Sequence, residues 1–269
     1  MKILFLFSVL IFSHPSIACD KPYRMQVGAY FDSSSVVTFW SEFAQEIAIK
    51  TKCPTNIHPA ASYEQQILDS INNNGDIFIV PTYYTFVFHK YGLETIIETD
   101  SHTKTYLVTQ KQFNPKNLAT LKTIQISTRY SDPYLLMKQR LSDQGLMDSV
   151  TFKFGGSFQA NAMSVIRGTM DAAIIYSPAF DPLPEVIKQK VNYIAISESK
   201  DSGSIMVRSD APQSLKDAIL HAKDKIKLLK WIKSPKDKQP TMMSHLFQEQ
   251  VTELINKTNK QINKPLLID

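Results

Sequence analysis

The sequence has no apolar run of about 20 residues, the length that a membrane-spanning helix requires. Its longest apolar stretch, residues 3–12, follows Lys2 and precedes Pro15 and the small residue Ala18. A short positive start, an apolar middle and a small residue at the end are typical of a cleaved secretory signal. The sequence therefore predicts a signal peptide over residues 1–18 and a mature protein that is soluble outside the cytoplasm, in the periplasm or otherwise secreted.

The sequence motifs of common enzyme classes and metal sites are also missing. The six histidines show no HExxH pattern and no other paired metal spacing, and no GxSxG nucleophile elbow occurs. The glycine-containing segment at residues 155–161 has neither the GxGxxG spacing of dinucleotide sites nor the GK[ST] of a P-loop. We therefore predict no catalytic residue, no metal and no cofactor.

Only two cysteines are present, Cys19 and Cys53. An even pair in an oxidising compartment predicts a disulfide. The alternative is a lipid anchor at Cys19, since Ser-Ile-Ala-Cys at residues 16–19 resembles a lipoprotein box, with Ser16 where Leu is expected. Lipidation would leave Cys53 as a free thiol, which secreted proteins tend to avoid, so the disulfide is favoured.

The net charge of +5 comes mainly from lysines between residues 223 and 238. A basic excess is found in proteins that bind nucleic acid or anionic surfaces. Here the lysines spread along an amphipathic helix and its exit instead of alternating with stacking aromatics. We interpret them as a solvated helix face and predict no nucleic-acid partner.

Hydrophobic periodicity predicts the order β-α-β-α-β twice along the chain. The first copy takes in residues 23–31, 36–47, 55–60, 63–71 and 76–80, and the second takes in residues 123–127, 133–144, 150–154, 159–167 and 171–176. Gly75 marks the predicted stop of the second helix. The strand after it is continuously apolar, as in a parallel sheet covered by helices on both faces. The pattern therefore predicts an α/β protein with two doubly wound lobes.

The segments between the copies predict how the lobes are joined. Residues 94–112 are rich in Thr and β-branched residues, which favours extended segments that cross from one lobe to the other. Residues 192–197 and 204–208 favour a return crossing. The expected division is a signal peptide at 1–18, a first lobe at 19–105 and 205–269, and a second lobe at 106–204, with a two-segment hinge.

Beyond the return crossing the sequence predicts one long helix over residues 212–231. Its apolar residues recur at heptad-like spacing, namely Leu215, Ile219, Ala222, Ile226 and Leu229. Five such positions are too few for a coiled coil, so we expect this face to pack on the first lobe. Another helix is predicted over residues 243–256.

The clearest candidate for a binding site is the turn at residues 126–133, Ile-Ser-Thr-Arg-Tyr-Ser-Asp-Pro. It leads from a predicted strand into a predicted helix, with Pro133 at the first helical position and a capping residue before it. Free backbone N–H groups, the helix dipole and the hydroxyls of Ser127, Thr128 and Ser131 would together hold an oxyanion. A plain capping motif explains the same residues, so both interpretations stay open.

Further candidates lie where other predicted strands end, since ligands of open α/β sheets bind at the carboxyl ends of strands. They are Ser157, Tyr176 and Ser177 in the second lobe, and Tyr84 and Tyr30 in the first. Aromatic side chains at such ends either line a pocket or pack in the core. Hinge closure over the ligand is the expected motion.

Two stretches resemble a known family. Gly-Ser-Phe-Gln-Ala-Asn at 156–161, followed by Ile-Arg-Gly-Thr-Met-Asp-Ala-Ala at 166–173, resembles the G-S-H-x-x-x…G-x-x-D-A stretch of periplasmic phosphonate-binding proteins of ABC importers. Asp-Ile-Phe at 76–78, with Pro81 and Tyr84, is similar to that family's D-hydrophobic…G-P-x-x-Y stretch. The chain departs from the pattern at two positions, where Phe158 replaces the family's histidine and Val80 replaces its glycine.

The resemblance implies the type II periplasmic binding fold, and a phosphonate group held near residues 127–128. It implies that Ser127, Thr128 and Tyr84 bind the ligand and that Tyr176 or Ser177 lies near the family's acidic contact. Gln159 is the expected replacement for the polar contact that the family's histidine makes.

The sequence thus predicts a monomeric solute-binding protein that captures a small oxyanion or phosphonate-like ligand for the membrane permease of an ABC importer. An alternative is a binding module that reports the ligand to a membrane sensor or receptor. A third possibility, an enzyme on the same scaffold, has no motif in its support.

Overall fold

The computed structural model describes residues 19, 21–28, 33–99, 103–199, 203–226, 231–234 and 239–262. The predicted signal peptide and Tyr30 lie outside these residues. Two β-sheets, each with an apolar cluster on either face, organise the described chain. This architecture confirms the predicted α/β class with two doubly wound lobes.

Strands and helices alternate along most of the described chain. In chain order the strands are β1 (Tyr23–Val27), β2 (Thr55–Pro59), β3 (Ile77–Val80), β4 (Leu93–Thr99), β5 (Thr103–Gln110), β6 (Thr123–Ile126), β7 (Thr151–Phe154), β8 (Ala172–Tyr176), β9 (Val191–Ser199), β10 (Ser204–Arg208) and β11 (Trp231–Lys233). The helices are α1 (Ser33–Thr51), α2 (Tyr63–Ile71), α3 (Thr85–His89), α4 (Asp132–Asp143), α5 (Phe158–Ile166), α6 (Ser177–Phe180), α7 (Glu185–Lys188), α8 (Gln213–Ala222) and α9 (Met242–Ile262). Short 3₁₀ turns lie at Thr82–Tyr84, Leu118–Thr120, Met147–Ser149 and Lys223–Lys225.

The sheet of the first lobe has the strand order β11-β4-β10-β3-β1-β2. Its strands β1, β2 and β3 are parallel, as expected for strands separated by helices. The returning strand β10 lies antiparallel between β3 and β4. All four residues of β3 are buried, which confirms the predicted strand covered on both faces.

The sheet of the second lobe has the order β7-β6-β8-β5-β9. Strands β6, β7 and β8 are parallel, whereas β5 runs antiparallel to both β8 and β9. The chain leaves the first sheet after β4 and enters the second at β5, and it returns between β9 and β10. These two passages confirm the predicted pair of crossings.

Helices α1 and α8 cover one face of the first sheet. The predicted apolar face of α1, Val36, Trp40, Phe43 and Ile47, is buried there with Leu215 and Ile219 of α8. Burying each side chain of this size stabilises the fold by about 1.5–3 kcal/mol. The expectation that the helix after residue 212 packs on the first lobe is therefore confirmed.

The predicted length of that helix is wrong. Helix α8 ends at Ala222, and Trp231 begins strand β11, which pairs antiparallel with β4. The ring of Trp231 contacts that of Trp40 at 6.1 Å between centroids. Pairing with the open edge of β4 and burial against α1 stabilise a strand at this place, although the sequence periodicity favours a helix. Leu229 lies outside the described residues.

The stop residue of α2 and the end of α9 differ from the prediction. Helix α2 ends at Ile71, and the left-handed residue after it is Asn73, with φ +54°. Gly75 instead allows a close approach, because a Cβ there would lie 3.0 Å from side-chain atoms of Gln26 and Phe78. Helix α9 extends to Ile262, beyond the predicted end at residue 256. None of the described helices is long and apolar enough to cross a membrane.

Cys19 and Cys53 form a disulfide, with 5.2 Å between their Cα atoms. This confirms the favoured interpretation of the cysteine pair. The bond joins the start of the described chain to the turn after α1, and it occupies the thiol that lipidation of Cys19 would need.

We expect removal of this bond to destabilise the protein by about 2–4 kcal/mol, because a cross-link over 34 residues restricts the unfolded chain. Urea unfolding of the oxidised protein, with and without reductant, measures the effect. The Cys19→Ala/Cys53→Ala variant is the control and should unfold at one midpoint in both buffers. Equal midpoints for oxidised and reduced wild-type protein would contradict the expectation.

Candidate ligand-binding site

The candidate site lies where strands β6, β7 and β8 of the second sheet end. Because these strands are parallel, their carboxyl ends meet at one edge of the sheet. Residues 127–131 follow β6, residues 155–157 follow β7, and β8 ends at Tyr176 with Ser177 directly after it. The structure therefore brings Ser127, Thr128, Ser131 and Ser157 to the same edge as Tyr176 and Ser177.

Asn161 links the turn after β6 to the turn after β7. Its side chain is only 1% exposed, although it is polar. In the amide orientation that satisfies both of its polar atoms, Oδ1 accepts from Ser127 Oγ at 3.2 Å, and Nδ2 donates to the carbonyls of Gly155 and Ser157 at 3.0 and 3.3 Å. Asn161 thus fixes the position of the Ser127 hydroxyl relative to the start of α5.

Gly156 makes this link possible. Its φ is +77°, and a Cβ at this position would lie 2.7 Å from the side-chain amide atom of Asn161 that is Nδ2 in this orientation. The left-handed backbone and the close approach both favour glycine.

We expect Gly156→Ala to destabilise the protein and displace Asn161 from Ser127. The matched control is Gly145→Ala, because Gly145 has φ +67° with nothing within 4 Å of its Cβ position. The control should lose only the left-handed conformational energy of about 1–2 kcal/mol. Urea unfolding of both variants measures the difference, and equal destabilisation would contradict the close contact at Gly156.

The N-terminus of α5 offers backbone donors at this edge. Ser157 caps the helix, since its Oγ accepts from Ala160 N at 3.2 Å and its carbonyl accepts from Asn161 N at 2.9 Å. The N–H groups of Phe158 and Gln159 have no partner within the helix, as is general for the first turn. Together with the positive end of the helix dipole they can bind an anion.

The N-terminus of α4 is different, because its capping is already complete. Ser131 Oγ accepts from Tyr134 N at 3.4 Å and donates to the Thr128 carbonyl at 2.9 Å. The capping interpretation of Ser131 therefore describes this conformation, and its role as a ligand residue stays a prediction.

The remaining donors of the first turn of α4 are also used. Asp132 N donates to the hydroxyl of Tyr83, from the first lobe, at 2.8 Å. Leu135 N donates to the Ser131 carbonyl at 3.1 Å, and Pro133 has no N–H. In this conformation an anion at the shared edge can find free helix donors at α5 but not at α4.

Thr128 lies on the turn between β6 and α4. Its Oγ1 accepts from Tyr130 N at 3.3 Å, so its hydroxyl hydrogen is left to donate. Ser127 has the same capacity once its hydroxyl rotates away from Asn161. These two hydroxyls and the first turn of α5 are donor groups that lie at the same edge of the sheet.

Tyr84 is fully buried between the lobes. Its hydroxyl donates to the Tyr130 carbonyl at 3.0 Å, and its ring stacks on Phe247 of α9 with 3.7 Å between centroids. Burial raises the pKa of its hydroxyl well above the ordinary value of 10.0. Contact of Tyr84 with a ligand stays a prediction and requires the lobes to separate.

The other predicted site residues have these surroundings. Ser177 is buried, and its Oγ accepts from Lys104 N at 3.0 Å. Phe158, which stands where the resembling family has histidine, is 5% exposed and contacts the Tyr176 ring at 5.1 Å between centroids. The Gln159 side chain and Tyr30 lie outside the described residues.

A cavity of about 670 Å³ lies in the second lobe between residues 111–115 and residues 185–193. It is at the opposite edge of the sheet, because Thr109 of β5 pairs with the start of β8. None of the predicted site residues lines it. The described residues contain no group of three or more histidine, cysteine or acidic side chains that could hold a metal ion.

The two α/β lobes with two crossings define the class of type II periplasmic binding proteins. The chain belongs to the family described as ABC transporter, phosphonate, periplasmic substrate-binding protein, whose model matches residues 25–225. Members of this family are substrate-binding components of transporters and not enzymes, and their periplasmic location places the chain outside the cytoplasm. A search of curated proteins gives no match.

Solved structures show the same fold at low sequence identity. A binding protein component of an ABC phosphonate transporter from Pseudomonas aeruginosa is 11% identical, with a TM-score of 0.65 over 91% of this chain and 100% of that one. PhnD1 from Prochlorococcus marinus, in complex with methylphosphonate, is 13% identical, with a TM-score of 0.65 over 89% and 99%. The arginine-, lysine- and histidine-binding protein ArtJ from Geobacillus stearothermophilus is 11% identical, with a TM-score of 0.53 over 77% and 94%.

Proposed function

We propose that this chain holds a phosphonate or a closely related oxyanion at the carboxyl edge of the second sheet, between the lobes, and delivers it to an ABC permease. The observation that carries the proposal is the pairing of the α5 N-terminus with the Ser127 hydroxyl through buried Asn161. A buried amide that fixes two donor groups relative to each other preorganises a site before the ligand arrives.

The donors at this edge suit an anion without a metal. Hydrogen bonds from hydroxyl and N–H groups to an ionised oxygen are about twice as strong as those between neutral groups. Arg129, on the same turn as Thr128, adds positive charge, and its guanidinium lies 5.2 Å from the centroid of the Phe154 ring. Among the described residues, no carboxylate lies within ion-pair distance of Arg129. Its charge is therefore available to attract an anionic ligand.

Phe158 shapes the expected pH dependence of binding. Its ring belongs to the apolar cluster with Ala173 and Ile175, so this position supplies no imidazole donor. The pH dependence of affinity should then contain no contribution from a histidine at this position.

A thermal-shift screen on residues 19–269 tests the proposal. The compounds are methylphosphonate, ethylphosphonate, 2-aminoethylphosphonate, phosphite, phosphate, sulfonates, small carboxylates and amino acids. A ligand at 100 times its dissociation constant stabilises the native state by about 2.7 kcal/mol. We expect shifts from phosphonates or phosphite, whereas shifts from amino acids or uncharged compounds alone would remove the oxyanion assignment and leave the fold unaffected.

A further inference from the structure

The two lobes contact each other through the turn that precedes α4. The hydroxyl of Tyr83 donates to the Tyr130 carbonyl at 2.8 Å and accepts from Asp132 N at 2.8 Å. Tyr84 donates to the same carbonyl at 3.0 Å. These hydrogen bonds join the first lobe to the second at one place, which we call the latch and define as Tyr83, Tyr84, Tyr130 and Asp132.

Apolar packing surrounds the latch. Tyr130 and Leu135 of the second lobe share one buried cluster with Tyr63 and Tyr84 of the first lobe and with Phe247 of α9. Tyr84 and Oδ1 of Asp132 are buried, whereas the side chains of Tyr83 and Asp132 as a whole are half-buried. Water is therefore kept away from the Tyr84 hydroxyl and from Asp132 Oδ1 as long as the lobes stay together.

One oxygen of the Asp132 carboxyl is not satisfied in this environment. Its Oδ1 is buried and has no hydrogen-bond partner among the described residues. A buried, unpartnered carboxylate oxygen is destabilising when it carries charge, and a buried polar group without a partner requires an explanation. Burial raises the pKa of this carboxyl from its ordinary value of 3.8 to about 7.

The groups that face Asp132 from the first lobe are Tyr63 of α2 and Tyr84. Burial raises the pKa of both hydroxyls above the ordinary value of 10.0, so both stay neutral at physiological pH. The charged groups around neighbouring Tyr130 are Glu64 of α2, Glu253 of α9 and Arg129 on the same turn. No cation among the described residues forms an ion pair with Asp132.

We propose that the latch is a pH-sensitive contact, in which neutral Asp132 holds the lobes together and ionised Asp132 favours their separation. Opening the lobes exposes the carboxyl to water, which stabilises its ionised form. The inference concerns the ligand-free protein and does not depend on which ligand it binds.

The direction follows from proton linkage. The closed state binds the proton more tightly than the open state, so closure is strongest below the ordinary pKa of the carboxyl. It weakens as the pH rises toward the raised pKa near 7 and is constant above it. Within that interval each pH unit changes the closure equilibrium by about tenfold.

Distance measurements between spin labels on the ligand-free protein test this proposal from pH 4.5 to 8.5. Ile49→Cys in α1 and Val186→Cys in α7 place one label on each lobe, at side chains that are both 61% exposed. We expect the closed fraction to fall up to about pH 7 and then level off. Asp132→Asn, which keeps the shape and removes the charge, should stay closed at every pH.

Two further variants give the test a defined outcome. Tyr83→Phe removes the hydrogen bonds of that hydroxyl with the Tyr130 carbonyl and with Asp132 N, so it should lower the closed fraction at every pH and keep the same pH response. Asp143→Asn changes an exposed carboxyl of the same helix and should behave as wild type. His58 and His89 remain in all variants, so a response that persists in Asp132→Asn would assign the effect to other groups and overturn the proposal.

A closed fraction that does not change with pH in either wild type or Tyr83→Phe would also overturn it. The Tyr83→Phe background matters because a very stable closed state would hide a shift of the equilibrium in the wild-type protein.

Discussion

Replacing Ser127 and Thr128 together with alanine is expected to lower the affinity for phosphonates by at least about a hundredfold, since each hydrogen bond to a charged group contributes about 1.5–3 kcal/mol. Both hydroxyls lie at the carboxyl edge of the second sheet, and that of Ser127 is linked to α5 through Asn161. Isothermal titration of wild type and variant with the same phosphonate measures the loss.

The matched control is Ser142→Ala, which removes an exposed hydroxyl on the far part of α4 and should leave the affinity unchanged. The urea midpoints of all three proteins must also be compared, because Ser127 is a partner of buried Asn161. A double variant that folds normally and binds as tightly as wild type would remove these hydroxyls from the site.

Phe247→Ala is expected to destabilise the protein by about 3–5 kcal/mol, the usual effect of truncating a fully buried aromatic side chain. Phe247 is 0% exposed and stacks on Tyr84, with an interplanar angle of 7°. Its ring also contacts Tyr83 and Phe88 edge-on at 5.6 and 6.0 Å between centroids. Removing it leaves a cavity beside the latch as well as in the core of the first lobe.

Urea unfolding measures this loss, with Met242→Ala as the control on the same helix. Met242 is 56% exposed, so its truncation should change the unfolding free energy by less than about 0.5 kcal/mol. Similar values for the two variants would mean that α9 does not pack on the first lobe as the structure shows.

Periodicity was a good guide to the lobes because the longer helices bury one face and the inner strands β3 and β8 are apolar runs. The steps of three and four between Val36, Trp40, Phe43 and Ile47 correspond to one buried face of α1. The same reasoning failed for residues 223–231, where pairing with β4 decides the structure. The pattern of residues 223–231 alone cannot predict pairing with a strand that lies more than 100 residues earlier in the chain.

The site was predictable in part. The sequence indicates two turns from strand to helix with hydroxyl side chains, and the structure places both at one sheet edge. The sequence could not show that the hydroxyl of Tyr83, from the other lobe, accepts the hydrogen bond of Asp132 N. This contact leaves α5 as the helix end with free donors. Asn161 was missed as well, although its place one turn after the Ser157 cap is a usable signal for a side chain that points back to the turn.

Asp132 illustrates why charge is hard to interpret from sequence. An acidic residue in the first turn of a helix is usually a solvated group that favours the helix dipole. Here the burial of Oδ1 depends on residues from α2, from the turn after β3 and from α9, which only the folded chain brings together.

The most direct test of the central claim is ³¹P NMR of methylphosphonate titrated with the mature protein, followed over hours. The account predicts a bound resonance that saturates at one ligand per chain and no resonance from any product. The absence of a bound resonance for methylphosphonate, 2-aminoethylphosphonate and phosphite, or the appearance of a new phosphorus species, would contradict it.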